Sequence, residues 1–198
     1  MDRLFEPEIE AQPVGLAIRA ELIDHDEHES LLESMRGLDL KAVVIRGQAS
    51  RRLVRHFGLR YEYASATVSA GEPLPEWLGF ARERCAGLAG VRPEELVQTL
   101  VSLYPPGASI GWHRDASPFG VVAGVSLGSA CEMRFRRGRA GRAAFTVELE
   151  PRSGYLLAGD ARWSWQHSIP PVTGERWSIT FRTLRRDSEA SASDPRAP

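Results

Sequence analysis

The sequence has 198 residues, 42% of them hydrophobic and 26% charged, with a formal net charge of −1. That is enough chain for one domain with a real core, and the near-neutral total gives no global attraction to a polyanion, so nucleic acid would need a local basic patch. Two cysteines, Cys85 and Cys131, cannot build a zinc cluster, and no run approaches the roughly 20 apolar residues of a membrane span.

Residues 1–13 are charged and contain proline, which predicts a loose N-terminal arm. The acidic start "MDRLFEPEIE" lacks the apolar run of a signal peptide, so the expected setting is cytoplasmic and reducing, without membrane contact. "VGLAIRAELI" reads as a strand. "DHDEHESLLESMRGL" reads as a helix capped at Asp24 or Asp26, with Leu31, Leu32, Met35 and Leu38 on its buried face. "KAVVIRG" is strand-like, and residues 51–75, rich in Arg, Tyr, Gly and Pro, predict a hairpin or lid. "PEWLGFARERCAGLAG" predicts a helix entered on proline and closed at Gly90.

From Gln98 the character changes. "QTLVSLY", "GVVAGVSLG", "CEMRFRRG", "AAFTVELE", "SGYLLAG" and "RWSITFRTL" are short β-rich runs broken by Gly and Pro, the pattern of a sandwich, jelly roll or barrel. The expected organisation is one monomeric domain over residues 14–185. Residues 14–97 form a helical support and lid, residues 98–185 a β core, and the polar tail 186–198 is disordered.

The chemistry concentrates in "GWHRDASPFG". His113 and Asp115 stand two apart, so on an extended segment both side chains turn the same way. Two imidazoles and one carboxylate on one face of a metal make the facial triad of non-haem iron(II) oxygenases, and His167 is the candidate third ligand. In "RWSITFR", Trp177, Ile179 and Phe181 share one face; Arg176, Ser178, Thr180 and Arg182 share the other. The usual reading of such alternation is a sheet with one wet side. Here the short loop from His167 suggests that it and the arginines lie on adjacent strands, with a small dianion gripped between Arg176 and Arg182.

Other readings compete. "HRD" opens a kinase catalytic loop, but that loop needs Asn five residues after the aspartate, where this chain has Gly120. His25 and His28 in "DHDEHE" read as a solvated charged face, and His56 carries no assigned chemistry. Tyr61 and Tyr63 in "GLRYEYAS" share one side of a strand and suit stacking on an extruded base. The arginine clusters at 51–55 and 134–142, with Arg134 and Arg136, are candidate phosphate contacts.

Taken together, "LVSLYPPGASIGWHRD", "EMRFRR" and "WQHSIPPVTGERWSITFR" resemble the AlkB family of Fe(II)- and 2-oxoglutarate-dependent dioxygenases, from about Val43 to Leu184. The resemblance implies a mainly β fold, a double-stranded β-helix (jelly roll) with supporting N-terminal helices. It implies that His113, Asp115 and His167 bind Fe(II) and that Arg176 and Arg182 pair with the carboxylates of 2-oxoglutarate. Tyr104 and Ser178 would add hydrogen bonds, as would Ser102, which stands where many members carry asparagine. The implied reaction consumes O₂ and 2-oxoglutarate and yields succinate and CO₂. On an N-methylated base in single-stranded nucleic acid it releases formaldehyde, as in DNA repair. Ala116 and Ser117 replace acidic residues that read exocyclic amines in repair members, so Ser117 is a candidate substrate contact and the target base stays open. The alternative is the same oxidation on a protein side chain or small molecule.

Overall fold

Strand β12 (Arg176–Leu184) lies at the centre of the fold, paired antiparallel on one edge with β5 (Leu96–Tyr104) and on the other with β7 (Phe119–Gly128). The computed structural model describes residues 12–45, 48–62, 67–138 and 145–186. Beyond β7 come β10 (Gly154–Leu157) and β1 (Leu16–Arg19). Beyond β5 come β3 (Gln48–Glu62) and β2 (Lys41–Ile45), with β4 (Thr67–Ala70) paired to the far end of β3. A smaller sheet runs β6 (Ile110–His113), β11 (Trp165–Ile169), β8 (Cys131–Arg137) and β9 (Phe145–Leu149). The two antiparallel sheets form the double-stranded β-helix.

Period-2 patterning explains the packing. Trp177, Ile179 and Phe181 point out of the roll into a core shared with Leu31, Leu32, Met35, Leu78 and Cys85 of the helical layer. Helix α1 (His25–Arg36) begins where the sequence indicates. Asp24 accepts from the Glu27 amide at 2.8 Å while the Glu27 carboxylate accepts from the Asp24 amide at 2.9 Å. Helix α2 (Gly79–Ala89) follows a 3-10 turn at Glu76–Leu78 and ends at Gly90, whose φ of 66° is left-handed and suits glycine. A second core lies inside the roll, built from Val122, Met133, Phe135, Leu149, Tyr155, Leu157 and Ile169.

Several local expectations need correction. The run "VGLAIRAELI" is a strand only over Leu16–Arg19; Glu21 at φ 50° turns the chain, and Leu22 returns to the Arg152 carbonyl at 2.9 Å. His28 is not on a wet face. It is buried, shares a 2.9 Å hydrogen bond with Glu29 through Nδ1, and accepts from the Gly128 amide at Nε2, clasping helix to sheet. Neither face of β12 is wet, because helices cover one and the smaller sheet covers the other.

Gly58 shapes the mouth of the roll. β3 pairs with β5 only as far as Gly58 opposite Gln98, then leaves to pair with β4 from Leu59 opposite Ala70. Gly58 sits at φ 77°, and a Cβ there would lie 2.1 Å from the Val97 carbonyl oxygen. Only glycine lets the strand peel away there.

Candidate active site

Pairing register brings the two histidines together. β11 lies antiparallel to β6 with His167 opposite His113, so the two imidazoles stand with ring centroids 4.3 Å apart. Asp115 follows two residues beyond, in the loop after β6. The ligand atoms of His113, Asp115 and His167 all lie within 4.8 Å of one another. His113 donates from Nδ1 to the Gly111 carbonyl at 2.9 Å, which fixes its tautomer and leaves Nε2 for a metal. Asp115 Oδ1 accepts from Arg182 Nε at 2.9 Å and Nη2 at 2.5 Å, while Oδ2 turns to His167 Nε2 at 3.5 Å.

Electrostatics suit cation binding. Burial works to raise the Asp115 carboxyl, but Arg182, His167, His113 and Arg162 outweigh it and hold the group far below the usual carboxylate range. Burial, with repulsion from His113, pushes His167 down to about 3 against the pull of Asp115. Burial also lowers His113. At neutral pH both imidazoles are therefore uncharged and can donate lone pairs beside a full carboxylate.

The expectation that His167 and the arginines share adjacent strands is wrong. β11 belongs to the smaller sheet and β12 to the larger, so they face each other across the roll. Between them is a chamber with about 420 Å³ of empty space. Tyr104, Ser102, Ser178, Arg176 and Arg182 all line it, as do the three triad residues. Arg176 is 1% exposed; its Nε donates to Ser126 Oγ at 3.2 Å, and its Cζ lies 5.0 Å from the centre of the Tyr104 ring. Its Nη1 and Nη2 are buried with no hydrogen-bond partner among the described residues. A buried guanidinium with two unsatisfied nitrogens is costly unless an anion meets it, so the chamber fits a carboxylate at this end and a cation at the other.

Arg182 is differently employed. Besides Asp115 it donates from Nη1 to Gln98 Oε1 at 2.6 Å. It orients the triad carboxylate as well as facing the chamber.

A second cleft, about 650 Å³ and partly open to solvent, leads to the triad from outside. Tyr61 lines it with Arg52, Val54, His56, Gln98, Arg114 and Phe119. Tyr63 lies outside the described residues. Ser117 is exposed and is not part of the lining. Arg134 and Arg136 are not in the cleft either. Arg134 pairs with Glu132 at 2.6 Å; Arg136 donates to Gln166 at 2.9 Å and stacks 4.5 Å over the Trp112 ring. Alternation along β8 turns them outward because the intervening Phe135 turns inward under His167.

Three residues carry structure that sequence reading missed. Arg162, 2% exposed, donates to the carbonyls of Gly120, Ala116 and Phe119 and so pins the loop that follows Asp115. Gln98 and His56 continue the Arg182 network, with Gln98 Nε2 3.1 Å from His56 Nδ1. No sequence spacing signals these contacts, which join residues 42 or more positions apart.

The profile of the 2OG-Fe(II) oxygenase superfamily matches residues 27–185. The mouse tRNA (carboxymethyluridine(34)-5-O)-methyltransferase ALKBH8 is 32% identical over 172 residues, covering 82% of this chain and 25% of that protein. The Arabidopsis thaliana alkylated DNA repair protein ALKBH8 homolog is 30% identical over 167 residues, covering 72% of this chain and 47% of that protein. The chain thus spans between a quarter and a half of these relatives' length. Among solved structures, OsALKBH1 superposes with a TM-score of 0.65 at 16% identity, over 88% of this chain and 98% of that one. The chain belongs to the 2OG-Fe(II) oxygenase superfamily. Within it the chain is an AlkB-type dioxygenase that works with Fe(II), 2-oxoglutarate and O₂. No helix among the described residues is long and apolar enough to cross a membrane.

Proposed function

We propose that this dioxygenase oxidises an alkyl group on a base of single-stranded nucleic acid, entering through the outer cleft. The observation that carries the reading is the composition of that cleft: it leads to the triad, Tyr61 offers a stacking face, and Arg52 and Arg114 offer positive charge. The names of two relatives, one a tRNA methyltransferase and one an alkylated DNA repair protein homolog, point the same way. In this reading the protein acts as a cytoplasmic monomer in base repair or modification.

The residue roles follow from the geometry. His113 Nε2, His167 and Asp115 Oδ2 would hold Fe(II), with Arg182 and the Gly111 carbonyl keeping the carboxylate and one imidazole in place. Arg176 would bind a carboxylate of 2-oxoglutarate through its two unsatisfied nitrogens, with Arg182 at the metal end and Tyr104, Ser102 and Ser178 as polar neighbours. The bound iron supplies oxidation of a C–H bond to C–OH, coupled to conversion of 2-oxoglutarate and O₂ to succinate and CO₂. A hydroxylated N-methyl group then departs as formaldehyde, leaving the bare nitrogen. Met133, Ile169, Leu157 and Val122 line the chamber with apolar surface and keep bulk water from the reacting atoms.

The test is succinate and formaldehyde release against a panel of methylated oligonucleotides, methylated proteins and small amines. Oligonucleotides are expected to stimulate turnover, with binding that weakens steeply between low and physiological salt. Stimulation by a protein or small molecule alone would transfer the reading to the alternative substrate class and leave the iron chemistry standing.

A further inference from the structure

The outer cleft contains a polar chain whose hydrogen-bond directions can be worked out atom by atom. Arg182 has only N–H donors, so Gln98 Oε1, 2.6 Å from its Nη1, must be the acceptor. Gln98 Nε2 is then the amide nitrogen, and it also reaches the Thr99 carbonyl at 3.4 Å, a contact that only a donor can make. Flipping the amide would set donor against donor at Arg182 and oxygen against oxygen at Thr99. Gln98 is 2% exposed, so no bulk water relieves the flipped state. The orientation is locked.

His56 is the next link. Gln98 Nε2 donates to its Nδ1 at 3.1 Å, so Nδ1 must be the bare nitrogen. The neutral ring therefore carries its proton on Nε2, which has no partner among the described residues and belongs to a side chain lining the cleft with Tyr61 and Phe119. Protonating Nδ1 would break the Gln98 bond and add a cation beside Arg182, Arg60 and Arg52. Burial and these charges accordingly lower the ring's pKa to about 4. With Nδ1 held by Gln98, the neutral His56 ring presents an N–H donor on the cleft.

The charge of the cleft gives the second half of the argument. Its described lining carries Arg52, Arg114 and Arg182 and a single carboxylate, Asp115, which is already engaged by Arg182. Methylation at a ring nitrogen of adenine or cytosine leaves a cationic base with an exocyclic amine, a donor. Such a base would meet like charge and a donor facing a donor. Methylation that replaces the pairing-edge ring N–H, at N3 of thymine or uracil or at N1 of guanine, leaves a neutral base with a carbonyl oxygen, an acceptor.

We propose that His56 is a specificity-determining residue, and that its Nε2–H selects an uncharged base presenting a carbonyl oxygen over a cationic methylated base. The proposal rests on the nucleic-acid reading above and narrows it. Gln98 is a positioning residue for His56, coupling the reader to the same arginine that orients Asp115.

The experiment compares kcat/KM for single-stranded oligonucleotides carrying either N3-methylthymine or N3-methylcytosine at one position. The pair is of similar shape apart from the thymine 5-methyl group, one neutral with an acceptor at C4 and the other cationic with a donor there. Wild-type protein is expected to favour the thymine substrate at least tenfold. His56→Phe, which keeps a ring but removes the donor, is expected to collapse that ratio towards one, and His56→Gln, which restores an N–H, to recover part of it. A merely structural role would lower both substrates in proportion and leave the ratio standing, and that result overturns the proposal. So does equal or greater turnover of the cytosine substrate by wild type, which would leave the nucleic-acid reading intact. If neither oligonucleotide is oxidised while another substrate class is, both the proposal and the reading beneath it fail.

Discussion

The two faces of β12 are equally buried and differ in almost everything else. Trp177, Ile179 and Phe181 are at most 3% exposed, as is Arg176 on the opposite face, where Arg182 reaches only 8%. The outer face is satisfied: its one polar atom, Trp177 Nε1, donates to Glu175 Oε1 at 3.0 Å, the rest packs into the apolar core, and its stabilisation scales with area removed from water. The inner face is incomplete, with Arg176 leaving two nitrogens without hydrogen-bond partners among the described residues. Burial therefore does not separate structure from function in this strand. Unmet hydrogen-bonding capacity does, because a fold keeps a buried charge unsatisfied only where a ligand completes it.

The sharpest way to break this contrast is at the triad. Asp115→Asn retains an oxygen for Arg182 but replaces the metal-facing carboxylate oxygen with a neutral group. It is expected to abolish succinate formation and Fe(II) binding while leaving the circular dichroism spectrum unchanged. Wild-type turnover by this variant would remove the triad from the metal site. Next in size is the outer face. Phe181→Ala opens a cavity in the helix-covered core and should cost about 3–5 kcal/mol, lowering Tm by roughly 10 °C. The KM for 2-oxoglutarate should stay put, and a large change in it would show that the faces are not independent.

Arg176→Met reverses the pattern. Removing the unpaired guanidinium should raise the KM for 2-oxoglutarate at least tenfold, on the order of 1.4 kcal/mol. The Tm of the ligand-free protein should hold or rise, since a well-fitting apolar side chain relieves a buried unpaired charge. Binding is read by succinate kinetics and stability by thermal melts of the same preparation. A lower Tm with unchanged KM would assign Arg176 to the fold instead of the cosubstrate.

Sequence alone made one part of this comparison plain and hid the other. Alternation in "RWSITFR" is a local, period-2 signal, so both faces of β12 were legible, as were the α1 N-cap, offered at Asp24 or Asp26, and the Gly90 helix end. The spacing of His113 and Asp115 is equally local. From the residues alone His167 is only a candidate third ligand, because its pairing opposite His113 is a register between strands 54 residues apart (167 − 113). An extended segment at His113 and a strand at His167 are expected, but the bounds of β6 and β11 are not legible: "IGWH" and "WQHSI" are short and place histidines where a core strand usually carries aliphatic residues. The wet side expected of such alternation is absent because the smaller sheet folds over it, a tertiary fact that no window of β12 contains. His56 and Gln98 stayed silent for the same reason. Their contact depends on β3 lying beside β5 up to Gly58, and on Gln98 facing inward with Arg182 opposite.

The smallest effect expected is a pH dependence that separates the inner face from the outer, since no titratable group lies among Trp177, Ile179 and Phe181. On the inner side His167 is pushed down to about 3 and His56 to about 4, from an ordinary value of 6.5. Both rings are thus neutral when folded but take up protons when unfolded as pH falls below 6.5. In that window the unfolded state binds more protons, so stability is full above pH 6.5 and is lost as pH falls towards the folded values. His167, being buried, contributes a slope approaching about 1.4 kcal/mol per pH unit, or roughly 3–6 °C in Tm. His56 contributes less because its ring is more exposed to solvent. Thermal melts of chelator-treated protein from pH 7.5 to 4.5 should therefore fall steadily, and His56→Gln should make the fall slightly shallower. Phe181→Ala should lower the whole curve without changing its slope. A Tm that rises on acidification would mean that these histidines are charged in the folded protein, and the neutral donor assigned to each of them would be wrong.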